Sequence, residues 1–229
     1  MSIKNILFDL DDTIYDFGMA EDIALGRMLT DIGVRPTEEK IKLYSRINLS
    51  YWKRLECGEI TREQVKVERF RSFFSEITVD YSPEKADVIY RSYLNQGHFF
   101  IDGAWDMLQK LHGKYRMYLV TNGTADTQKG RIASGKIEQF FDKIFVSELI
   151  GFNKPEKEFF DYCFQKIGNI KKDETIIIGD SLTSDIQGGI HAGIRTLWFN
   201  GRRESNATEI KPDYEVHKLC EISELLERI

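Results

Sequence analysis

Asp9 and Asp11 lie two residues apart in the segment Phe8-Asp9-Leu10-Asp11-Asp12-Thr13, a spacing that lets two carboxylates take different parts at one reacting centre. One can attack a phosphorus atom while the other moves protons at the leaving oxygen. Carboxylates this close repel one another unless a cation sits between them. Taken alone, the run is equally an acidic turn that closes a strand. Three further clusters carry complementary chemistry. Thr121-Asn122-Gly123 combines a hydroxyl, an amide and flexible backbone N–H groups, all suited to holding phosphoryl oxygens. In Lys154-Pro155 the proline holds a lysine in extended backbone, where its charge can neutralise both phosphate and aspartate. Gly179-Asp180-Ser181-Leu182-Thr183-Ser184-Asp185 offers two carboxylates to a hard, oxygen-loving Mg²⁺ and its waters. The same segment also reads as a turn followed by a helix capped by Thr183 or Ser184. Each of the three is, in isolation, an ordinary loop.

Every cluster follows a short run that is apolar at nearly every position: Ile6–Phe8, Met117–Val120, Ile144–Val146 and Ile176–Ile178, with a fifth run at Thr196–Phe199. Such runs suit strands buried on both faces of a parallel sheet. Helix-length segments separate the later runs, roughly 124–134, 155–167 and 183–192. Pro155 suits a first helical turn, and Gly168 and Gly193 suit helix exits. The alternation predicts an α/β fold with a Rossmann-like parallel sheet. Ligands in such sheets bind beyond the carboxyl ends of the strands, where all four clusters would converge.

Residues 16–92 break the alternation, with helical patterns and no convincing strand. Val67, Phe70, Phe74 and Ile77 form an apolar stripe on one helix face. Thr61 with Gln64 forms a capping box, and Ser82-Pro83-Glu84 opens a helix on which Ala86, Ile89, Tyr90 and Tyr93 share a side. A catalytic core from 1–15 and 93–229, interrupted by a helical cap module at 16–92, is the expected organisation.

The chain has 229 residues, 41% hydrophobic and 30% charged, with a net charge of −5. That is ordinary for a soluble globular protein and argues against nucleic acid or a membrane surface as the main partner. Cys57, Cys163 and Cys220 show no metal-binding or disulfide spacing and read as free thiols of a reducing compartment. No basic-then-apolar leader opens the sequence, and its apolar runs are too short to span a bilayer. A cytoplasmic protein acting on a small molecule is expected, with no signal for an oligomeric state.

In their order, and at successive strand ends, the four clusters closely resemble the motifs of the haloacid dehalogenase superfamily across nearly the whole chain. The resemblance implies Asp9 as nucleophile and Asp11 as general acid/base. It implies that Thr121, with Asn122 and Gly123, binds the transferred phosphoryl group, while Lys154 balances charge. Mg²⁺ would be held by Asp9, Asp180 and the backbone carbonyl of Asp11, with Asp185 acting through water or Lys154. The inserted helices would form a cap over the site. Family dehalogenases and phosphonatases lack an aspartate at the position of Asp11, so its presence implies phosphoryl transfer. The activity implied is a Mg²⁺-dependent phosphomonoesterase working through an aspartyl phosphate. A sugar-phosphate phosphatase or a phosphomutase shares these motifs. An idle binding protein on the same fold commonly lacks one of Asp9, Asp11, Lys154 or Asp180, and all four are present.

Asn48, Trp52, Gly58-Glu59-Ile60, Arg69-Phe70, and Ser181–Ile194 with Gly188-Gly189-Ile190 and Ala192-Gly193 resemble a narrower group, the bacterial pyrimidine 5′-nucleotidases of the YjjG/YfnB type. That resemblance implies a nucleoside 5′-monophosphate substrate with a leaning toward pyrimidines. Tyr15, Phe17, Asn48 and Trp52 are candidates to face the base, although Tyr51 and Trp52 equally suit the core of the cap.

Overall fold

The computed structural model describes residues 2–229. In chain order its elements are β1 (Asn5–Phe8), α1 (Phe17–Asp31), α2 (Glu38–Glu56), α3 (Arg62–Glu76), α4 (Pro83–Leu94), α5 (Ala104–Leu111), β2 (Arg116–Thr121), α6 (Ala125–Gly135) and β3 (Lys143–Val146). There follow α7 (Ser147–Ile150), α8 (Lys157–Ile167), β4 (Thr175–Gly179), a π-helical turn (Leu182–Ile186), α9 (Gln187–Ala192), β5 (Arg195–Phe199), β6 (Tyr214–Val216) and α10 (Cys220–Leu226). These divide into two compact units. One takes the segment up to Asp16 with Phe100–Ala125 and Gly135–Ile229, and the other takes Phe17–Phe99 with Asp126–Ser134. The helical unit thus runs seven residues past the expected boundary at 92 and includes most of α6. Among the described residues no helix is long and apolar enough to cross a membrane.

The first unit is built on a parallel sheet of order β3-β2-β1-β4-β5-β6. The chain winds outward in one direction from β1 to β3 and in the other from β4 to β6, so the β1/β4 junction is a topological switch point. β1 and β4 are buried at every residue, which is why, after the paired Asn5 and Thr175 that open them, they run apolar rather than alternating. On one face Leu7, Tyr118, Val120 and Ile177 pack with Phe159, Phe160 and Cys163 of α8 and Ala192 of α9. Each such large apolar side chain contributes about 1.5–3 kcal/mol by leaving water. Gly188 and Gly189 let α9 approach closely. An added Cβ would fall 2.5 Å from the Phe160 ring at the first and 2.5 Å from Ile177 Cγ2 at the second. Gly193 ends α9 at φ 70°, backbone that side-chain-bearing residues rarely adopt.

Two local expectations change. The Lys154–Pro155 peptide is cis, and α8 opens at Lys157 rather than at Pro155. A turn over 153–156 takes up the intervening groups: Glu156 N–H donates to the Asn153 carbonyl (2.8 Å), and Asn153 N–H to Glu156 Oε1 (2.8 Å). The edge strand β6 is an addition to the five strands expected.

In the second unit α1 packs on α4, α2 on α3, and α3 on α4. Its core joins Ala24, Leu25 and Met28 of α1 to Tyr44, Phe70, Phe73 and Tyr90. The Tyr44 ring lies 5.1 Å from that of Phe70 and 5.3 Å from that of Phe73, centroid to centroid. The Thr61/Gln64 capping box forms as expected, and Ser82 caps α4 with Pro83 in its first turn. The buried face of α3 is Val65, Arg69, Phe70, Phe73 and Phe74, leaving Val67 and Ile77 only partly covered.

Candidate active site

The switch point gathers the acidic residues. Asp9 extends the ladder one step beyond β1, its N–H donating to the Ile178 carbonyl of β4 (2.9 Å). The chain then turns sharply. Ile14 and Tyr15 N–H groups both donate to the Leu10 carbonyl (2.9 Å each), and Asp12 sits at φ 57°, a left-handed conformation that aspartate tolerates better than most side chains. Arg202, in the loop after β5, ties this turn down through an ion pair with Asp12 (2.9 Å). Asp11 is half-buried on the same turn.

Lys154 is buried with its ammonium group facing three acceptors. Nζ donates to Asp9 Oδ1, to Asp185 Oδ1 (2.7 Å) and to the Val120 carbonyl at the end of β2 (3.0 Å). Burial opposes the charge, but the Asp185 and Asp9 carboxylates hold the ammonium above its ordinary pKa. Asp185 Oδ2 also accepts from the Ser181 N–H (3.1 Å). Its carboxylate lies so close to Gly179 that a Cβ there would fall 2.2 Å from Oδ2. Ser181, rather than Thr183 or Ser184, caps the turn that carries Asp185: its Oγ accepts from the Ser184 N–H (3.2 Å).

Carboxylate oxygens of Asp9, Asp180 and Asp185 lie within 4.8 Å of one another. Burial, and then the neighbouring carboxylate of Asp9, hold Asp180 well above the usual aspartate range. Asp9 is likewise raised, first by burial, with Lys154 pulling the other way. Three converging carboxylates beside one ammonium form a hard, electron-rich donor set that fits a divalent cation such as Mg²⁺. The Trp198 indole N–H of β5 donates to the Asp180 backbone carbonyl (2.7 Å) and fixes the end of β4.

Thr121 is buried at the end of β2, and its Oγ1 accepts from the Gly123 N–H (3.2 Å). Two bonds of 2.9 Å join the Asn122 side-chain amide to the main chain of Lys154. Glu148, one residue past the start of α7, accepts from the Ala125 N–H (2.6 Å) and anchors the loop after β2. Glu148, Trp198 and Arg202 were not anticipated. All three lie in or next to strand ends, and that position was the signal available for finding them.

The structure does not bring Tyr15 and Asn48 to an open surface. Tyr15 is fully buried in the first unit, its ring edge-on to Phe100 at 5.1 Å and its hydroxyl against Gly135. Asn48 is buried inside the helical unit, donating to Glu21 Oε1 (2.6 Å) and accepting from Arg69 Nη1 (2.9 Å). Arg69 in turn pairs with Asp87 (2.7 Å). A buried amide flanked by opposite charges satisfies a core network. Phe17 packs against the helical core beneath the Arg131 guanidinium, which lies 5.7 Å from its ring centroid. Trp52 is half-buried beneath the guanidinium of Arg62 (5.6 Å).

The haloacid dehalogenase-like hydrolase profile matches residues 6–199, which include every motif residue above. The chain belongs to the haloacid dehalogenase-like hydrolases. Within this family it is 40% identical to the HAD-hydrolase YfnB of Bacillus subtilis, over 97% of this chain and 95% of YfnB. A crystal structure of YfnB bound to magnesium superposes with a TM-score of 0.94, covering 99% of both chains. The pyrimidine 5′-nucleotidase PynA of Streptococcus pneumoniae is 36% identical over 100% of this chain and 97% of its own length. The pyrimidine 5′-nucleotidase YjjG of Escherichia coli is 31% identical over 96% of each.

Proposed function

We propose that this hydrolase is a Mg²⁺-dependent phosphomonoesterase that removes the phosphate from nucleoside 5′-monophosphates, with a preference for pyrimidines. The observation that carries the chemistry is the convergence of Asp9, Lys154, Asp180 and Asp185 at the switch point, with Asp11 on the adjoining turn. The substrate class rests on the likeness to PynA and YjjG over nearly their full lengths.

In this reading a carboxylate oxygen of Asp9 attacks phosphorus and the ester P–O bond breaks, leaving an aspartyl phosphate and an alkoxide. Asp11 delivers its proton to that alkoxide. It then takes a proton from the water that attacks the same phosphorus, which frees inorganic phosphate and restores the Asp9 carboxylate. Lys154 holds Asp9 in place and offsets the repulsion between its carboxylate and the incoming phosphoryl oxygens. The Thr121 hydroxyl and the N–H groups of the loop after β2 bind those oxygens. Asp9, Asp180 and the Asp11 carbonyl, with Asp185 beside them, would hold Mg²⁺, which would supply the remaining positive charge.

The test is hydrolysis of UMP, dTMP, purine nucleotides and sugar phosphates with Mg²⁺ and with EDTA, in wild type and Asp9→Asn. Metal-dependent turnover of the pyrimidine nucleotides, abolished in Asp9→Asn, is expected. Equal or better turnover of a sugar phosphate would overturn the substrate assignment. Turnover that survives Asp9→Asn would place the nucleophile elsewhere.

A further inference from the structure

The amide of Asn122 treats Lys154 as a neighbouring strand would. Its Nδ2 donates to the Lys154 carbonyl (2.9 Å), and its Oδ1 accepts from the Lys154 N–H (2.9 Å). A side-chain carboxamide carries the same donor–acceptor pair as a peptide group, so two parallel bonds fix both position and orientation of the segment they grip. Two residues earlier, the Val120 carbonyl accepts from Lys154 Nζ (3.0 Å). The end of β2 therefore holds this lysine at both extremities, its backbone through residue 122 and its ammonium through residue 120. Between them lie four rotatable side-chain bonds, which a free loop would leave to sample many rotamers. Lys154 is borne on an irregular segment between α7 and α8, so no strand or helix of its own fixes its backbone.

We propose that Asn122 is a positioning residue that clamps the backbone of Lys154 so that its ammonium meets Asp9 and Asp185, rather than a ligand for the substrate phosphate. The proposal rests on the phosphomonoesterase reading and changes the part that the second residue of Thr121-Asn122-Gly123 plays in it. A loosened Lys154 lowers the rate of attack by Asp9, while the groups that bind phosphate in the loop after β2 stay in place.

The experiment is steady-state hydrolysis of p-nitrophenyl phosphate with Mg²⁺ by wild type, Asn122→Ala and Asn122→Ser, with thermal melts to establish the folded fraction. In both variants kcat per folded enzyme is expected to fall on the order of 10- to 100-fold, the range for partners that orient a reacting group. KM should stay within about two-fold, as for a group acting after substrate is bound. Asn122→Ser is small enough to fit and too short to span both main-chain groups, so it keeps the test open should the alanine variant fold poorly. A rise in KM with kcat unchanged would overturn the proposal in favour of direct phosphate binding. A lowered melting temperature with unchanged kcat would overturn it in favour of a purely structural role. Absence of turnover in wild type would instead defeat the phosphomonoesterase reading itself.

Discussion

Replacing Lys154 by methionine keeps the apolar stem and deletes the ammonium. Three hydrogen bonds go with it, to Asp9, Asp185 and Val120, all within a buried site. The three carboxylates of the cluster then face one another without a buried cation. Removing one partner of a buried ion pair typically destabilises by about 3–5 kcal/mol. In a chain of this length each kcal/mol lowers Tm by about 2–4 °C, so the metal-free variant should melt roughly 6–20 °C below wild type. The loss should shrink at acid pH, because Lys154 is the main influence lowering the Asp9 pKa and its removal lets Asp9 accept a proton more readily. Adding saturating Mg²⁺ should raise Tm more in the variant than in wild type, because the ammonium no longer competes for the same oxygens. Calorimetric melts in EDTA and in Mg²⁺ measure both quantities. A metal-free shift below about 1 °C, or a smaller Mg²⁺ response than wild type, would show that Lys154 is not the counter-charge of this cluster. Hydrolysis should fall by about 10²–10³-fold, the range for losing one electrostatic stabiliser.

Gly179→Ala brings a Cβ against Asp185 Oδ2 and should displace the carboxylate that receives Lys154, lowering kcat about 10- to 100-fold; an unchanged kcat would show that Asp185 has room to move. In the helical unit, Arg69→Met strips Asp87 of one of its two arginines and leaves Asn48 Oδ1 without its donor, a loss of about 3 kcal/mol measurable by urea unfolding. A loss under about 1 kcal/mol would show that Arg91 alone suffices for Asp87. Burial holds Glu21 above the usual glutamate range, with Ser45 and Asn48 opposing. Its folded pKa therefore exceeds its unfolded one, and its contribution to stability is greatest below the unfolded value and fades as pH rises through the folded value. Glu21→Gln should flatten that part of the stability–pH curve, and an unaltered slope would refute the assignment.

Sequence pattern carries the core of this fold well because β1 and β4 are buried on both faces, and a run such as Thr175-Ile176-Ile177-Ile178 has few alternatives. The edge strand β6 was illegible for the opposite reason: Tyr214-Glu215-Val216 is short and half-solvated, and it exists only because β5 offers it an unpaired edge. Asp9, Lys154, Asp180 and Asp185 could be anticipated because each follows its own strand in a recognisable order. The contacts of Lys154 with Asp9 and Asp185 span 145 and 31 residues of sequence and follow only from the sheet. Asn48 shows the limit most plainly. Its partners Glu21 and Arg69 lie 27 and 21 residues away on separate helices, and no local pattern reveals that its amide is enclosed. Ser181 caps where Thr183 or Ser184 is expected, because all three offer hydroxyls and only the π-helical turn selects among them.

Trp198 gives the acidic cluster an optical voice. Its indole N–H is bonded to the carbonyl of Asp180, one residue's breadth from the carboxylates that fit a dication. A charge arriving there alters the field across the ring and the strength of that bond, and with them the wavelength and yield of indole emission. The other two tryptophans sit elsewhere, Trp52 on α2 and Trp105 on α5 against Phe100 and Phe140. Subtracting the spectrum of Trp198→Phe therefore isolates a fluorophore that reads cation occupancy directly in the unlabelled protein, in the absence of any substrate.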